Sequence, residues 1–284
     1  MGSQATPSTE LTTLLEERYK TPINFKPPTL GSVPEAITTI LTHKSTRSFL
    51  TTPLPPGTLE TLVASAQSAP TSSMQQSYST IAIQDPKHKE TVSRICGDQD
   101  FIRQAPLFLI FCADLHRMSK MVKKYGVQNK ALDKTDMLLT AIIDSSLAAQ
   151  NAAIAAETLG LGICFVGGVR NHARELVDLL SLPERVLGVV GLAVGFPDSS
   201  TKVDIKPRLP MGEVLHSERW DSRRQEENVK VFDDLMGRHH HQLLKIGRKS
   251  WSEWMAEWGK DGVSGLNGRE NIRSLLQNQG FGMD

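Results

Sequence analysis

The sequence has few cysteines and almost no net charge, and both shortages exclude whole classes of protein. Its 284 residues include three cysteines, and no two of them form a Cys-x-x-Cys pair. We therefore expect neither a disulfide framework nor a bound metal, and sparse thiols favour a reducing, cytoplasmic compartment. Lys and Arg number 32 against 31 Asp and Glu, which argues against nucleic acid or a membrane surface as a partner. Any site for an anion must be local.

An uninterrupted hydrophobic run of membrane-spanning length is also lacking. The longest weakly charged stretch, residues 137–163, is interrupted by Asp144, Gln150, Asn151 and Glu157. Polar and acidic side chains at such positions are costly in lipid. We therefore predict a buried, Ala-rich helix over residues 134–159.

Short apolar runs and helical patterns divide the rest of the chain. YSTIAIQ, LFLIFCA and VLGVVGLAVGF predict strands, and GICFVG is a weaker fourth candidate. Helices are predicted over ELTTLLEERYK, over PEAITTILTHK, and from an N-cap at Thr58 to a point before Pro70. We predict an N-terminal helix and Pro-rich connection over residues 1–33, a core over 34–222, and a helical C-terminal extension over 223–284 that packs on the core or on a partner subunit.

The stretch His43-Lys44-Ser45-Thr46-Arg47-Ser48-Phe49 places three basic side chains and small hydroxyls directly after a predicted helix. It has a simple explanation, because basic side chains are favourable near the partial negative charge of a helix C-terminus. The same residue types also suit a site that holds an anion. The stretch by itself does not decide between the two interpretations.

Two later stretches are equally ambiguous when each is considered alone. Thr71, Ser72 and Ser73 lie between a predicted helix and a predicted strand. Their hydroxyls and free backbone amides suit a phosphate or a polar ring edge, but an ordinary Ser/Thr turn has the same composition. The run Gly167–Arg170 follows a predicted strand. Paired glycines allow a close approach to a ligand, although a tight turn with a solvated arginine would give the same pattern.

Taken together and in order, these stretches resemble one family, the FMN-dependent nitroreductases, and within it the NADPH-preferring nitroreductase and flavin reductase group. They correspond to the family's His-Arg-Ser-x-Arg-x-Phe, its Ala-Pro-Thr/Ser-Ser-Ser with Gln76 at the usual spacing, and its Ala-Ala-Glu-Ser-Leu-Gly-Leu-Gly followed by Gly-Gly-Leu-Arg-Asn. A fourth element, Lys-Pro-Arg-Leu-Pro, is intact at residues 206–210. Four ordered motifs are a far stronger signal than any one.

Two features of the motifs separate this chain from other members. Lys44 replaces the family's usual arginine, which keeps the charge but loses the bidentate fork. A related nitroreductase group has a glutamate near the position of Gly167, and its absence here favours the NADPH-preferring branch.

The resemblance implies which residues would contact FMN. His43, Lys44 and Ser45 would lie on the phosphate and ribityl side, and Arg170 would close on the phosphate. Arg47 would approach the N1/O2 edge of the flavin ring, where a cation favours the reduced form. The Gly168 N–H would face N5. The other implied contacts are Gly167, Val169, Gln76 and Gln99, together with Thr71, Ser72 and Ser73 from the partner subunit.

The implied activity is an NADPH-dependent FMN oxidoreductase that reduces nitroaromatic, quinone or flavin acceptors by ping-pong hydride transfer through flavin N5. We nominate no catalytic side chain, because the flavin carries the chemistry. Lys202, Lys206 and Arg208 are candidates for the 2′-phosphate of NADPH, with a solvated basic loop as an equal alternative.

The implied fold is α+β, with a central, mostly antiparallel sheet flanked by helices in an intertwined homodimer that shares both flavin sites. Two other functions stay open. One is a non-enzymatic flavoprotein that binds FMN as a sensor or store, and the other is a same-fold enzyme of the reductive dehalogenase type.

Overall fold

The computed structural model describes residues 7–239, 250–262 and 265–282. By their internal contacts the residues form two units, one of residues 1–44 and 203–265 and the other of residues 45–202 and 266–284. The boundaries that we predict at 33/34 and 222/223 stay a prediction.

The described α-helices are, in chain order, α1 (Pro7–Tyr19), α2 (Glu35–Thr42), α3 (Thr58–Gln67), α4 (Pro86–Ile95), α5 (Asp100–Gln104), α6 (His116–Tyr125), α7 (Thr135–Thr158), α8 (Ala173–Leu179), α9 (Met211–Val214), α10 (Gln225–His239), α11 (Trp251–Glu257) and α12 (Ile272–Asn278). Single 3₁₀ turns cover Ser72–Met74, Lys130–Asp133, Gly167–Arg170 and Arg269–Asn271.

The second unit is built on a four-stranded sheet. Its strands are β1 (Tyr78–Ile83), β2 (Leu107–Asp114), β3 (Gly162–Val166) and β4 (Val186–Gly195), in the order β1-β2-β4-β3. All three pairings are antiparallel. The four predicted strands and the α+β class with an antiparallel sheet are therefore confirmed.

The central strands are apolar on both faces because the sheet is covered on both sides. Every residue of β2 is buried. Phe108 and Ile110 belong to one core cluster, whereas Leu107 and Leu109 belong to the other. This alternation is the two-residue period of a strand with a separate core on each face.

Helix α3 begins differently from the prediction. Thr58 is the first helical residue and not the N-cap, which is Gly57 with a φ of 82°. The Thr58 hydroxyl donates to the Pro55 carbonyl at 2.7 Å and so belongs to the Pro-rich turn before the helix. The helix ends at Gln67, before Pro70 as predicted.

The long Ala-rich helix is confirmed as α7. By length and composition α7 could cross a membrane, but its alanines from Ala148 to Ala156 pack with buried residues of β2 and β4. Asp144 and Ser145 lie fully buried among them. We therefore interpret α7 as a core helix, the class that most often shares this composition.

Asp144 fixes the turn that precedes β1. Its two carboxylate oxygens accept hydrogen bonds from the N–H groups of Ser72 and Ser77, each at 3.0 Å. Between these anchors Ser73, Met74 and Gln76 have φ angles of 47°, 55° and 51°. Non-glycine residues in this left-handed region cost free energy that surrounding contacts must offset. The buried carboxylate supplies such contacts.

In the first unit, two tryptophans of the tail pack against helix α10. Trp251 meets Phe232 edge-on, with 5.3 Å between ring centroids. Trp254 packs on the same small cluster with Met236. These two side chains therefore contribute to the small core of the first unit.

We expect Asp144→Asn to destabilise the fold, because the new amide can accept only one of the two hydrogen bonds and leaves a buried N–H unpaired. Such a loss costs about 1–3 kcal/mol. The free energy of unfolding in urea, at one protein concentration, measures it. Asp136→Asn, at an exposed position of the same helix, is the matched control. Equal effects of the two substitutions would contradict a stabilising role of the two hydrogen bonds that Asp144 accepts.

Candidate functional site

The first motif lies against the start of β3. The Thr46 N–H donates to the Ile163 carbonyl at 2.8 Å, and Ser45 forms a parallel bridge with Ile163. The Thr46 side chain is buried and packs against Gly162. A methyl group at Gly162 would lie only 2.6 Å from the Thr46 hydroxyl oxygen. Thr46 thus points into the fold while Arg47 is exposed.

The end of the motif binds the segment that follows β4. The Leu50 N–H donates to the Phe196 carbonyl at 2.9 Å, and the Asp198 N–H donates to the Ser48 carbonyl at 3.0 Å. Phe49 is buried in the core. Among the described residues the Arg47 guanidinium has no hydrogen-bond or ion-pair partner, so its charge is available to a ligand.

The first two residues of the motif belong to the other unit. His43 ends helix α2 as its C-cap, with extended backbone angles of −48° and 133°. Its side chain is half-buried, and Lys44 is exposed. The His43 carbonyl accepts a hydrogen bond from Arg18 of helix α1 at 2.8 Å.

The Gly-Gly turn lies at the opposite end of β3. Gly168 packs directly on the loop after α4, where a side chain would collide with the Cys96 carbonyl oxygen. The same loop carries Gln99, whose amide donates to the Gly97 carbonyl at 3.1 Å. Gln99 and the turn are therefore brought together. Val169 is fully buried, so it offers no side-chain surface to a ligand.

Two arginines converge beside this turn. A side chain at Gly167 would begin 3.5 Å from a terminal nitrogen of Arg170 and 3.6 Å from one of Arg269. Arg170 also donates to the Val189 carbonyl, and Arg269 Nε donates to Asn171 Oδ1 at 2.9 Å. Burial, together with the charge of Arg269, lowers the pKa of Arg170.

Neither guanidinium forms an ion pair with any carboxylate in the part of the chain that the structure describes. Two arginines without an acidic partner are a candidate site for an anion. Sequence reasoning found Arg170 but missed Arg269, because no motif surrounds Arg269 and only the folded chain brings it to Gly167.

Ser45 and Arg170 lie near opposite ends of β3. Ser45 forms a bridge with Ile163 near the start of the strand, and the turn that carries Arg170 begins at Gly167, after the strand ends at Val166. An elongated ligand along β3 could reach both ends.

The serine turn lies at the other edge of the sheet. It leads into β1, which three strand spacings, or about 14 Å, separate from β3. Ser72, Ser73 and Gln76 are exposed, and Thr71 is half-buried. Within one chain, the structure thus separates Thr71, Ser72, Ser73 and Gln76 from the Gly-Gly turn.

The three basic residues that we predict for NADPH are exposed. Lys202 belongs to the second unit, and Lys206 and Arg208 belong to the first. Arg208 donates to the carbonyls of Lys206 and Pro207, each at 3.2 Å. Its guanidinium therefore lies over its own loop.

The cysteines offer no reactive thiol. All three are buried, and burial raises the pKa of Cys96 and of Cys112 to about 12. A thiol with so high a pKa is not a nucleophile at neutral pH. Across residues 7–239, 250–262 and 265–282, no three His, Cys, Asp or Glu side chains come together as a metal site would require.

Known proteins are similar to this chain in both sequence and fold. Residues 40–196 match the Nitroreductase family, and residues 206–284 match its C-terminal domain. An FMN reductase (NADPH) of Bacillus subtilis is 36% identical over 249 residues, which cover 86% of this chain and 97% of the relative.

Solved structures of related proteins have a similar fold. The NfrA1 nitroreductase from B. subtilis superimposes with a TM-score of 0.80 at 34% identity, covering 87% of this chain and 99% of that one. An NADPH:FMN oxidoreductase from Vibrio harveyi, complexed with NAD+, gives a TM-score of 0.76 at 29% identity, covering 88% of this chain and all of that one. The chain belongs to the nitroreductase family.

Proposed function

We propose that this protein is an NADPH-dependent FMN oxidoreductase that reduces small acceptors of the nitroaromatic, quinone or flavin class. The proposal is carried by the arrangement along β3. At one end a glycine turn lies beside two arginines that have no carboxylate partner among the described residues, and the basic motif lies at the other end. Relatives named FMN reductase (NADPH) and NADPH-flavin oxidoreductase support it.

The residues fit FMN. A cradle that a side chain at Gly167 would fill faces two guanidiniums, and such donors suit a ring that gains negative charge on reduction. When bound, FMN would supply the hydride-accepting centre. His43, Lys44 and Ser45 would hold the phosphate, Arg47 would neutralise charge at the ring, and Gly168 would offer its N–H. That Arg170 closes on the phosphate stays a prediction from the sequence.

The same geometry supports a homodimer. Since the serine turn and the Gly-Gly turn lie at opposite edges of the sheet, one flavin would contact Thr71, Ser72 and Ser73 from the partner subunit. A second observation agrees. Leu139, Ile143 and Leu147 form a stripe along α7 and are between 39% and 55% exposed. An apolar stripe at a spacing of four residues suits burial by another helix.

The donor and the compartment are proposed on narrower grounds. Lys202, Lys206 and Arg208 present positive charge that would favour NADPH over NADH through its 2′-phosphate. A cytoplasmic location is supported by three buried cysteines, none of which forms a disulfide. The acceptor would share the donor's place, because ping-pong exchange needs only one open ring face.

The experiment that tests the function is bleaching of the flavin band without oxygen. We expect the purified protein to be yellow and to bleach faster with NADPH than with NADH. Arg208→Ala should raise KM for NADPH and leave KM for NADH nearly unchanged.

Each alternative has its own outcome. A yellow protein that neither donor bleaches would be a sensor or store of FMN. Equal losses with both donors would show that Arg208 is structural, and loss of FMN from the variant would place Arg208 on the flavin instead.

Arg47→Ala should lower the midpoint potential of the flavin and weaken its retention, because an exposed cation without a protein partner is lost from the ring. Loss of a charge-assisted contact costs about 1.5–3 kcal/mol. Redox titration and a count of bound FMN measure the two effects. Arg47→Lys, which keeps the charge, should restore part of the potential. An unchanged potential at full occupancy would rule out the assignment.

Ile143→Asp should dissociate the dimer and release FMN together, because each site would lose residues of the partner subunit. Obligate dimers commonly bury about 2,000–5,000 Å². Sedimentation velocity from micromolar to nanomolar protein, observed at the flavin band, follows both. Val127→Asp changes an equally exposed residue outside α7 and is the control. A monomer that keeps FMN and turns over NADPH would contradict this architecture.

A further inference from the structure

A buried arginine of helix α1 binds the end of helix α2. Arg18 is 8% exposed, and its Nε and Nη2 donate to the Leu41 carbonyl at 2.9 and 2.5 Å. Nη2 also donates to the His43 carbonyl at 2.8 Å. The carbonyls at the end of a helix have no partner within it and carry partial negative charge. Arg18 satisfies them where α2 enters the first motif.

Helix α2 is short and lies at the surface. It is eight residues long and contains no buried residue, whereas isolated helices shorter than about 12–15 residues are marginal in water. Its side chains Ile37 and Ile40 are 39% and 46% exposed. The hydrogen bonds from Arg18 therefore help to fix the chain direction at His43.

The donor of these hydrogen bonds lies outside the matched family sequence. The match to the Nitroreductase family begins at residue 40, so α1 and Arg18 lie outside it. The residues that Arg18 orders lie at its start. His43 and Lys44 are the first two residues of the basic motif, and both belong to the same unit as α1.

We propose that Arg18 is a positioning residue for the flavin site. By binding the carbonyls of Leu41 and His43, it holds the backbone of His43 and Lys44 in the conformation that receives FMN. The proposal rests on the proposed function, since it assigns these two residues to the flavin. It makes the N-terminal helix a part of the site's framework, acting through the backbone without touching the cofactor.

The test is the dissociation constant of FMN, measured by the recovery of flavin fluorescence when the yellow protein is diluted. Arg18→Met, which keeps the length and apolar stem, should weaken FMN binding roughly tenfold, the equivalent of losing one charge-assisted contact. Arg18→Lys should have an intermediate effect, because an ammonium reaches fewer of the carbonyls. Arg273→Met, at an exposed helical arginine, should leave the constant unchanged.

A double substitution distinguishes positioning from general stability. If Arg18 acts through the motif, His43→Ala and Arg18→Met together should weaken FMN binding less than the product of their separate effects. A general loss of stability would lower the unfolding midpoint and leave the dissociation constant of the folded protein unchanged. That result, in Arg18→Met or in Arg18→Lys where the first does not fold, would overturn the proposal.

FMN binding by the wild-type protein distinguishes failure of the proposed function from failure of the positioning role of Arg18. If it binds no FMN, the proposed function fails and the role of Arg18 falls with it. If it binds FMN and is bleached by NADPH while both Arg18 variants bind as tightly, only the positioning role is overturned.

Discussion

The hydrogen bond from the Thr46 N–H to the Ile163 carbonyl joins the basic motif to strand β3, and the rest of the candidate site depends on it. Strand β3 pairs along its whole length with β4, so it is a rigid spacer. The basic motif is fixed at its start and the Gly-Gly turn follows its end. Two stretches far apart in the sequence thereby keep a constant separation, as a rigid elongated ligand requires.

Close approach, and not an unusual backbone angle, explains the glycines of this region. Gly162 leaves room for the buried Thr46 side chain, and Gly168 leaves room for the Cys96 carbonyl. Neither has a positive φ. A side chain at Gly168 would push the turn away from the loop that carries Gln99. Gly162 and Gly168 are therefore needed for packing within the chain.

Much of the fold could be predicted because its signals are local. The strands are short apolar runs between turn residues, and α7 is a long weakly charged stretch. The predicted N-cap at Thr58 was wrong because the Pro-rich turn before it takes the hydroxyl. Arg18, Asp144 and Arg269 could not be assigned, since each acts on a backbone or a turn distant in the sequence. In the sequence, Asp144 indicated only that α7 does not span a membrane. Its hydrogen bonds to the serine turn became visible in the folded chain.

Charge compensation shows why a nearly neutral protein can hold an anionic ligand. Arg103 pairs with Glu90 and Asp100, and Arg185 pairs with Asp133. In the described ranges, Arg47 and the pair Arg170 and Arg269 have no such carboxylate. Positive charge without a carboxylate partner is therefore present near both ends of β3, and partial burial strengthens the field of Arg170. A ligand with a phosphate at one end and a ring that becomes negative on reduction would be stabilised at both.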